Sequence, residues 1–364
     1  MTAFLFFVLG LGALVAGADL LVRGASRLAL SFGISPLVVG LTIVAFGTSA
    51  PEVAVSVGSA LKGEADIAVG NVVGSNIFNV LFILGASALI APLVVHAQLI
   101  RQEVPIMVGA SLLLVALAWD GVLSRADGIA FMLLLLFYTG FLVVQSRRAS
   151  KDTKEEYAEE FGDGTPRWIP ALVARRWGQL LLIVAGLVLL VIGSQWLVEA
   201  AVTFAKALGV SELVIGLTIV AAGTSLPEVA TSIMATIKGE RDIAVGNVVG
   251  SNTFNILGCL GLSAAVAPSG IAIAPSLLAF DVWVMVAVAV ACLPVFLTGR
   301  EISRGEGVLI LGYYVAYTVF LVLAAQHSDG TALFSRTMVY AVIPLTMLPL
   351  AMGLWRHRRR RARR

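Results

Sequence analysis

The sequence predicts an all-α polytopic membrane protein made of two inverted-topology repeats of five transmembrane helices, with an eleventh helix near the carboxyl end. Composition is the first observation, since 59% of the 364 residues are hydrophobic and only 13% are charged. Mean hydropathy is +0.96. A water-soluble core cannot hide that much apolar surface. The short alternating segments of a membrane barrel are not seen, so the spanning elements are predicted to be helices.

The second observation is the length of the apolar runs, most of which approach the 20 or so residues that span a bilayer. The first set covers approximately residues 3–22, 36–60, 67–91, 103–119 and 127–145. The second set covers approximately 178–205, 212–236, 243–267, 277–298 and 307–325. A further run, 338–355, predicts the eleventh helix.

Internal duplication is the third observation. Residues 40–85 align without gaps on residues 216–261, with 33 identities in 46 positions and a constant offset of 176. Because each half has an odd number of helices, the second copy enters the membrane from the opposite face, as in secondary transporters. The first repeat is predicted to cover residues 1–146, with an ion-binding core at 34–91. The second covers 177–326, with its core at 210–267.

Residues 147–176 form a long polar stretch between the repeats and are predicted to be a cytoplasmic linker, because their ends are basic. Arg23 and Arg27 are expected after the first helix on the same side, which places the amino terminus outside. Asp19 lies four residues before Arg23, a spacing that suggests a helical ion pair. Residues 327–364 are predicted to supply the extra helix and a basic cytoplasmic tail that contacts membrane lipid. The expected location is a prokaryotic plasma (inner) membrane.

The phrase "GTSAPEV" at residues 47–53 returns as "GTSLPEV" at 223–229. Pro51 and Pro227 lack an amide hydrogen for the carbonyl four residues earlier, so each is predicted to break its helix. Freed carbonyls inside a bilayer are tolerated only beside protein, water or an ion. Hydroxyl oxygens at the same level come from Thr48 and Ser49, and from their copies Thr224 and Ser225.

Glu52 and Glu228 follow the two prolines directly. An ionised carboxylate at this depth costs several kcal/mol. No Lys, Arg or His lies within residues 36–61 or 66–95, and the matching segments of the second half are equally bare. A cation or a proton from solution is therefore the expected neutralising partner. Pairing with distant bases such as Arg23 or Lys206 is the alternative structural explanation.

The companion segments read "GNVVGSNIFN" at 70–79 and "GNVVGSNTFN" at 246–255. Each adds neutral oxygen ligands one helical turn apart, which are Ser75 with Asn79 and Ser251 with Asn255. The small-residue spacing of each segment predicts close helix packing. These packing positions are Gly70, Gly74, Gly246 and Gly250. Asn71, Asn76 and their copies are candidates either for ion contact or for hydrogen bonds between helices.

Carboxylates, hydroxyls, amides and loosened carbonyls, without thiolate or imidazole, are the ligands of a hard cation. Two glutamates carry a charge that one Ca²⁺ or two Na⁺ would neutralise, so the two ions are expected to compete for the same oxygens. Competition at one site that opens alternately to each side of the membrane is the logic of an antiporter.

The paired motifs resemble the α-repeats of the cation/calcium exchanger superfamily, especially the prokaryotic sodium/calcium antiporters. The resemblance implies four kinked core helices that hold the ions and two peripheral helices that move against them. It implies that Glu52 and Glu228 bridge calcium and sodium sites, and that Ala45 and Ala221 offer backbone carbonyls. The hydroxyls of Ser49, Ser75, Ser225 and Ser251, with Thr48 and Thr224, and the amides of Asn79 and Asn255 would complete the set. Asn255 stands where some relatives have Asp, which argues against potassium coupling.

Sodium/calcium antiport is the preferred hypothesis, with calcium/proton antiport as the alternative and a cation channel or ion-sensing membrane protein below it. No nucleophile and base pair or phosphate loop accompanies the carboxylates, so an enzyme is not predicted. No cofactor and no nucleic-acid partner is expected, only Ca²⁺, Na⁺ and membrane lipid. The sequence does not define an oligomeric state.

Overall fold

The computed structural model describes residues 2–32, 34–160, 176–208, 221–297, 299–326 and 330–346. Its helices are α1 (Thr2–Phe32), α2 (Pro36–Thr48), α3 (Ala50–Lys62), α4 (Ala65–Ile90), α5 (Leu99–Leu117), α6 (Arg125–Glu160), α7 (Arg176–Ala207), α8 (Ala221–Gly223), α9 (Leu226–Ile237), α10 (Arg241–Val266), α11 (Leu277–Leu297), α12 (Arg304–Ala325) and α13 (Gly330–Thr337). Two short antiparallel ribbons pair β1 (Leu93–Val94) with β4 (Glu301–Ile302), and β2 (Val122–Leu123) with β3 (Ile271–Ala272).

Within this described part, eight helices are long and apolar enough to cross a membrane. The bent pair α2 and α3 makes a ninth span if the two halves are counted as one. The prediction of a polytopic α-helical membrane protein is thereby confirmed. Residues 212–220 of the predicted seventh helix, and the part of the predicted eleventh helix beyond residue 346, lie outside the described residues.

The α1 and α7 pair displays the inverted symmetry directly. The two helices pack antiparallel, with Gly10 against Gly193 and Gly17 against Gly186. The offset of 176 makes Gly186 the copy of Gly10 and Gly193 the copy of Gly17. Each glycine therefore contacts the copy of the other, which is the pattern of a twofold axis between inverted halves. A Cβ on Gly17 would lie 2.8 Å from the Gly186 carbonyl oxygen.

Helices α4 and α10 form the centre of the molecule. Every residue from Ile243 to Gly261 of α10 is buried. The α2 segment packs along α10, α3 packs beside α4, and α5 lies against α11. Each central helix contains a π-helical turn, Asn79–Leu84 in α4 and Asn255–Leu260 in α10. The outer helices α6 and α12 cover the carboxyl ends of α10 and α4 respectively.

Two predicted helix ends are wrong. Helix α1 continues to Phe32, so Arg23 and Arg27 lie within it rather than after it. The charged residues do not end the helix, because they are paired. Asp19 Oδ2 accepts a bond from Arg23 Nε at 2.8 Å, as expected. Asp19 Oδ1 also pairs with Lys238 Nζ at 2.5 Å. Helix α6 likewise runs past the predicted start of the linker to Glu160. Residues 147–160 contain neither Gly nor Pro and are rich in good helix formers.

Candidate ion-binding site

The first repeat contributes a broken helix. Helix α2 ends at Thr48 and α3 begins at Ala50, with a bend of 46° between them. Ser49 at the junction has φ −81° and ψ 9°, outside the helical minimum. Pro51 occupies the first turn of α3, where its missing amide hydrogen leaves the Gly47 carbonyl without its helical partner. The break points Thr48 and Ser49 toward the buried interior, where both are fully covered.

The second repeat reproduces this geometry. Ser225 has φ −87° and ψ 7° and directly precedes α9, whose first turn contains Pro227. The segment before it is the short helix α8, which begins at Ala221. Thr224 lies between the two helices and is partly buried.

The two glutamates are held by the opposite repeats. Ser225 Oγ donates to Glu52 Oε1 over 2.8 Å, and Ser49 Oγ donates to Glu228 Oε1 over 2.9 Å. Both carboxylates are completely buried. The second oxygen of each, Oε2, has no hydrogen-bond partner among the described residues. Two buried carboxylate oxygens thus remain available to a ligand.

Hydroxyl groups surround these carboxylates. Ser225 Oγ also lies 3.1 Å from Ser75 Oγ, which brings Ser75 of the first repeat beside the Glu52 carboxylate. Its copy Ser251 is fully buried, and Ser251 Oγ has no partner in the described structure. Thr48 Oγ1 donates to Asn247 Oδ1 at 3.2 Å.

Asn79 and Asn255 bond across the twofold axis. Asn79 Nδ2 donates to Asn252 Oδ1 at 3.0 Å, and Asn255 Nδ2 donates to Asn76 Oδ1 at 3.1 Å. All four asparagines are buried. The Asn79 oxygen is left without a partner among the described residues, whereas Asn255 Oδ1 accepts from the Cys259 thiol at 3.4 Å.

The electrostatics of the site favour a cation. Neither Glu52 nor Glu228 forms a salt bridge with a basic residue in the described part of the chain. Burying such charges without a partner is costly. The unpartnered buried atoms here are all oxygens, namely Glu52 Oε2, Glu228 Oε2, Asn79 Oδ1 and Ser251 Oγ. Oxygen donors of this kind suit Ca²⁺ and other hard cations.

A family model described as "Sodium/calcium exchanger protein" matches residues 2–144 and 178–323. The chain belongs to this family. The match includes both broken helices and both glutamates, and it leaves out the segment between the repeats and the carboxyl end.

Two relatives and one solved structure are similar to the chain over most of its length. It is 39% identical over 319 residues to the inner membrane protein YrbG of Escherichia coli K12, covering 86% of this chain and 95% of that one. It is 34% identical over 344 residues to the sodium/calcium exchanger MaX1 of Methanosarcina acetivorans, covering 87% and 98%. The solved structure of the sodium-calcium exchanger NCX_Mj soaked without Na⁺ and Ca²⁺ superimposes with a TM-score of 0.73, at 29% identity and 88% and 99% coverage.

The family resemblance also implies that the backbone carbonyls of Ala45 and Ala221 contribute to the site. The Ala45 carbonyl lies in the last turn of α2, where it accepts the Ser49 amide at 3.1 Å and faces Thr48 Oγ1 at 3.4 Å. It is therefore at the level of the helix break. Ala221 is the first residue of α8.

The structure describes the expected close neighbours of the packing glycines Gly246 and Gly250, but not those of Gly70 and Gly74. A Cβ on Gly250 would lie 2.6 Å from the Leu41 carbonyl oxygen, and one on Gly246 would lie 2.9 Å from that of Leu37. Helix α2 therefore approaches α10 at backbone distance. For Gly70 and Gly74 the corresponding neighbours by repeat are residues 213 and 217, outside the described part. Close packing there stays a prediction.

Asn71 and its copy Asn247 form hydrogen bonds between helices, which was one of their two predicted roles, but their partners Ser56 and Ser232 were not predicted. Asn71 Nδ2 donates to Ser56 Oγ at 3.0 Å, and Asn247 Nδ2 donates to Ser232 Oγ at 3.0 Å. These bonds tie each proline-broken helix to the central helix of its own repeat. The sequence could have indicated these serines, since Ser56 and Ser232 occupy equivalent positions in the two repeats and lie one helical turn after each glutamate.

Proposed function

We propose that this chain is a secondary active transporter that exchanges Ca²⁺ for Na⁺ at one site between its two repeats. The observation that carries the proposal is the pair of buried carboxylates Glu52 and Glu228, each bonded through one oxygen to a serine of the other repeat and each with its second oxygen free. Two negative charges that lack a basic partner need about two positive charges from solution. One Ca²⁺ or two Na⁺ supply them, so the ions compete.

The inverted symmetry supports alternating access. A site on the twofold axis between inverted halves has equivalent surroundings toward both membrane faces. A conformation open to one side therefore has a counterpart open to the other side at similar energy. We propose that residues 1–146 and 177–326 are these halves, with five spans each, and that their cores at 34–91 and 210–267 hold the ions.

The proposed ligands are oxygen-bearing groups around the two carboxylates. They are Thr48, Ser49, Ser75, Asn79 and the Ala45 carbonyl from the first repeat, with Thr224, Ser225, Ser251, Asn255 and the Ala221 carbonyl from the second. We further propose a plasma (inner) membrane location, with the amino terminus outside and with residues 147–176 and the carboxyl tail in the cytoplasm. YrbG, named an inner membrane protein, is consistent with that location.

The deciding experiment is calcium flux in proteoliposomes with the two candidate driving gradients kept separate. We expect ⁴⁵Ca²⁺ uptake when vesicles are loaded with Na⁺ and diluted into Na⁺-free buffer at equal pH. Vesicles with a pH gradient and no Na⁺ test calcium/proton exchange, in which the glutamates would carry protons instead. Uptake only under the pH gradient would replace the proposal with that alternative. Flux that neither saturates nor couples to a second ion would indicate a channel.

We also propose that transport is electrogenic. If more than two Na⁺ move per Ca²⁺, each net charge couples about 2.3 kcal/mol per 100 mV of membrane potential. Clamping the vesicle potential with K⁺ and valinomycin should then change the initial rate of Ca²⁺ uptake. A rate that does not respond to the potential would indicate neutral exchange.

A further inference from the structure

The two central amides, Asn79 and Asn255, are equivalent by repeat but not in their surroundings. Their side-chain nitrogens have equivalent partners, since each donates to an amide oxygen of the opposite repeat. The distance is 3.0 Å for Asn79 and 3.1 Å for Asn255. Both side chains are completely buried. Any difference in how they bind a cation must therefore come from what faces their oxygens.

Cys259 supplies that difference. Its thiol donates to Asn255 Oδ1 over 3.4 Å, from four residues further along the same helix. Both residues lie in the π-helical turn Asn255–Leu260. The offset of 176 places Ile83 where Cys259 stands, and an isoleucine has no hydrogen to donate. Asn79 Oδ1 accordingly has no partner among the described residues.

We propose that Cys259 is a positioning residue that makes the two amides unequal ligands, so that the central cation is bound more strongly by Asn79 than by Asn255. The inference rests on the proposed transport of Ca²⁺ at this site. A thiol is a weak donor, but its hydrogen occupies one of the two lone pairs of the Asn255 oxygen. It also fixes the direction of the other. The Asn79 oxygen keeps both lone pairs for the ion.

The inequality has a consequence for exchange. The hydrogen bonds between serines and glutamates occur as a crossed pair. The contact of Ser225 with Ser75 has no counterpart at Ser251, so it adds a second difference between the repeats. The thiol makes the two central amides themselves unequal, because it acts on the oxygen of Asn255 alone. The bound ion then has a different ligand field toward the two repeats, and the two access states differ in cation affinity although the repeat cores share 33 of 46 residues.

The test compares Asn79→Ala with Asn255→Ala in two backgrounds, wild type and Cys259→Ala. The readout is the Ca²⁺ dissociation constant obtained from how the Tm of the purified protein without Na⁺ rises with Ca²⁺ concentration. Each asparagine variant loses one matched bond to the other repeat, so structural losses cancel in the comparison. In the wild-type background we expect Asn79→Ala to weaken Ca²⁺ binding at least about threefold more than Asn255→Ala, and in the Cys259→Ala background that ratio should approach one.

Single cysteine variants give a second measurement if the asparagine variants do not fold. Cys259→Ala frees the Asn255 oxygen and should strengthen Ca²⁺ binding about two- to threefold. Cys259→Ser replaces the thiol with a stronger donor and should therefore not strengthen Ca²⁺ binding. Cys292→Ala is the matched control, because Cys292 is also a buried free thiol but its hydrogen goes to the Val288 carbonyl. It should leave Ca²⁺ affinity unchanged.

The outcomes separate the inference from the proposed function. Equal losses for the two asparagine variants in the wild-type background, or a Cys259→Ala affinity equal to that of Cys292→Ala, would overturn the role of Cys259 while leaving exchange intact. A wild-type protein that shows no Ca²⁺-induced stabilisation and no Na⁺-driven uptake would overturn both.

Discussion

Ser49 Oγ donates a hydrogen bond to Glu228 Oε1 over 2.9 Å, although the two residues belong to different repeats. Its counterpart, from Ser225 to Glu52, is 2.8 Å long. Each carboxylate is thus oriented by the break in the opposite repeat. Neither half contains all of the proposed ligands, so a movement between the repeats would change the surroundings of both carboxylates at once.

We predict that Ser49→Ala and Ser225→Ala weaken Ca²⁺ affinity to a similar degree. A hydrogen bond to a charged group is worth about 1.5–3 kcal/mol, which corresponds to roughly tenfold or more in affinity. The measurement is the half-saturating Ca²⁺ concentration for Na⁺-driven ⁴⁵Ca²⁺ uptake. Ser111→Ala is the control, because Ser111 is buried but bonds only to the Met107 carbonyl of its own helix. An affinity for Ser49→Ala like that of the control would disprove the orienting role.

Neutralising one carboxylate should abolish calcium exchange. Glu52→Gln and Glu228→Gln each remove one of the two negative charges while keeping the size of the side chain. A site with one charge no longer balances Ca²⁺, so Na⁺-driven ⁴⁵Ca²⁺ uptake is expected to fall to background with normal membrane insertion. Glu64→Gln, at an exposed glutamate after α3, should transport normally. Normal uptake by the purified Glu52→Gln variant would refute the site.

The sequence predicted the residues of the candidate site better than the hydrogen bonds between them. Both proline breaks, both glutamates and the repeat offset could be read directly, because they depend on local chemistry and on identity between the repeats. The crossed bond from Ser49 to Glu228 could not be, since it depends on how two segments 179 residues apart pack. The π-helical turn that contains Asn255 and Cys259 has no recognised sequence signal, and it sets which groups face the amide oxygen.

Helix ends were predicted poorly for a different physical reason. Apolar runs mark the part of a helix that lies in hydrocarbon, whereas helices end where caps or breakers occur. Helix α6 therefore continues to Glu160, beyond its last apolar turn. Helix α1 continues past Arg23 because the charge is paired with Asp19.

Gly17 and Gly12 of α1 should respond oppositely to alanine. A Cβ on Gly17 would lie 2.8 Å from the Gly186 carbonyl oxygen, and backbone atoms cannot yield, so α1 and α7 must separate. Gly17→Ala should lower stability by about 1–3 kcal/mol. A Cβ on Gly12 meets nothing within 4 Å in the described structure, so Gly12→Ala should be neutral or slightly stabilising. The Tm values of the detergent-purified variants check this, and equal values would mean that α1 and α7 are not in close contact.

Lys238 links the end of α9 to the middle of α1. Its ammonium lies 2.5 Å from Asp19 Oδ1, and its side chain is only 23% exposed. Burial lowers the pKa of Lys238, and the adjacent Asp19 carboxylate opposes that shift. Lys238→Met should lower stability by about 1 kcal/mol, with a smaller difference at high salt. Lys62→Met is the control, because Lys62 is the repeat counterpart of Lys238 and is exposed. The counterpart of Asp19 is Gln195, which carries no charge to pair with Lys62. Equal Tm changes for the two variants would exclude a specific contribution from the pair.

Each repeat also bonds a carboxyl group to a tyrosine hydroxyl between neighbouring helices. Tyr138 Oη donates to Glu103 Oε2 at 2.6 Å, and Tyr317 Oη donates to Asp281 Oδ1 at 2.7 Å. Glu103 is completely buried, and its other oxygen accepts from the amides of Gln98 and Gln102. Helix α5 is thus bonded to α6 in the first repeat, as α11 is bonded to α12 in the second.

Removing the Tyr138 hydroxyl should destabilise the protein without changing ion affinity. Tyr138→Phe leaves Glu103 Oε2 buried without its donor, at a cost of about 1–3 kcal/mol. Tyr317→Phe should cost less, because Asp281 is only partly buried and water can replace the lost donor. Tyr340→Phe, at an exposed position, serves as the control and should leave the Tm unchanged. A changed half-saturating Ca²⁺ concentration in Tyr138→Phe would contradict a purely structural role, because the Glu103 and Tyr138 pair would then be coupled to the ion site.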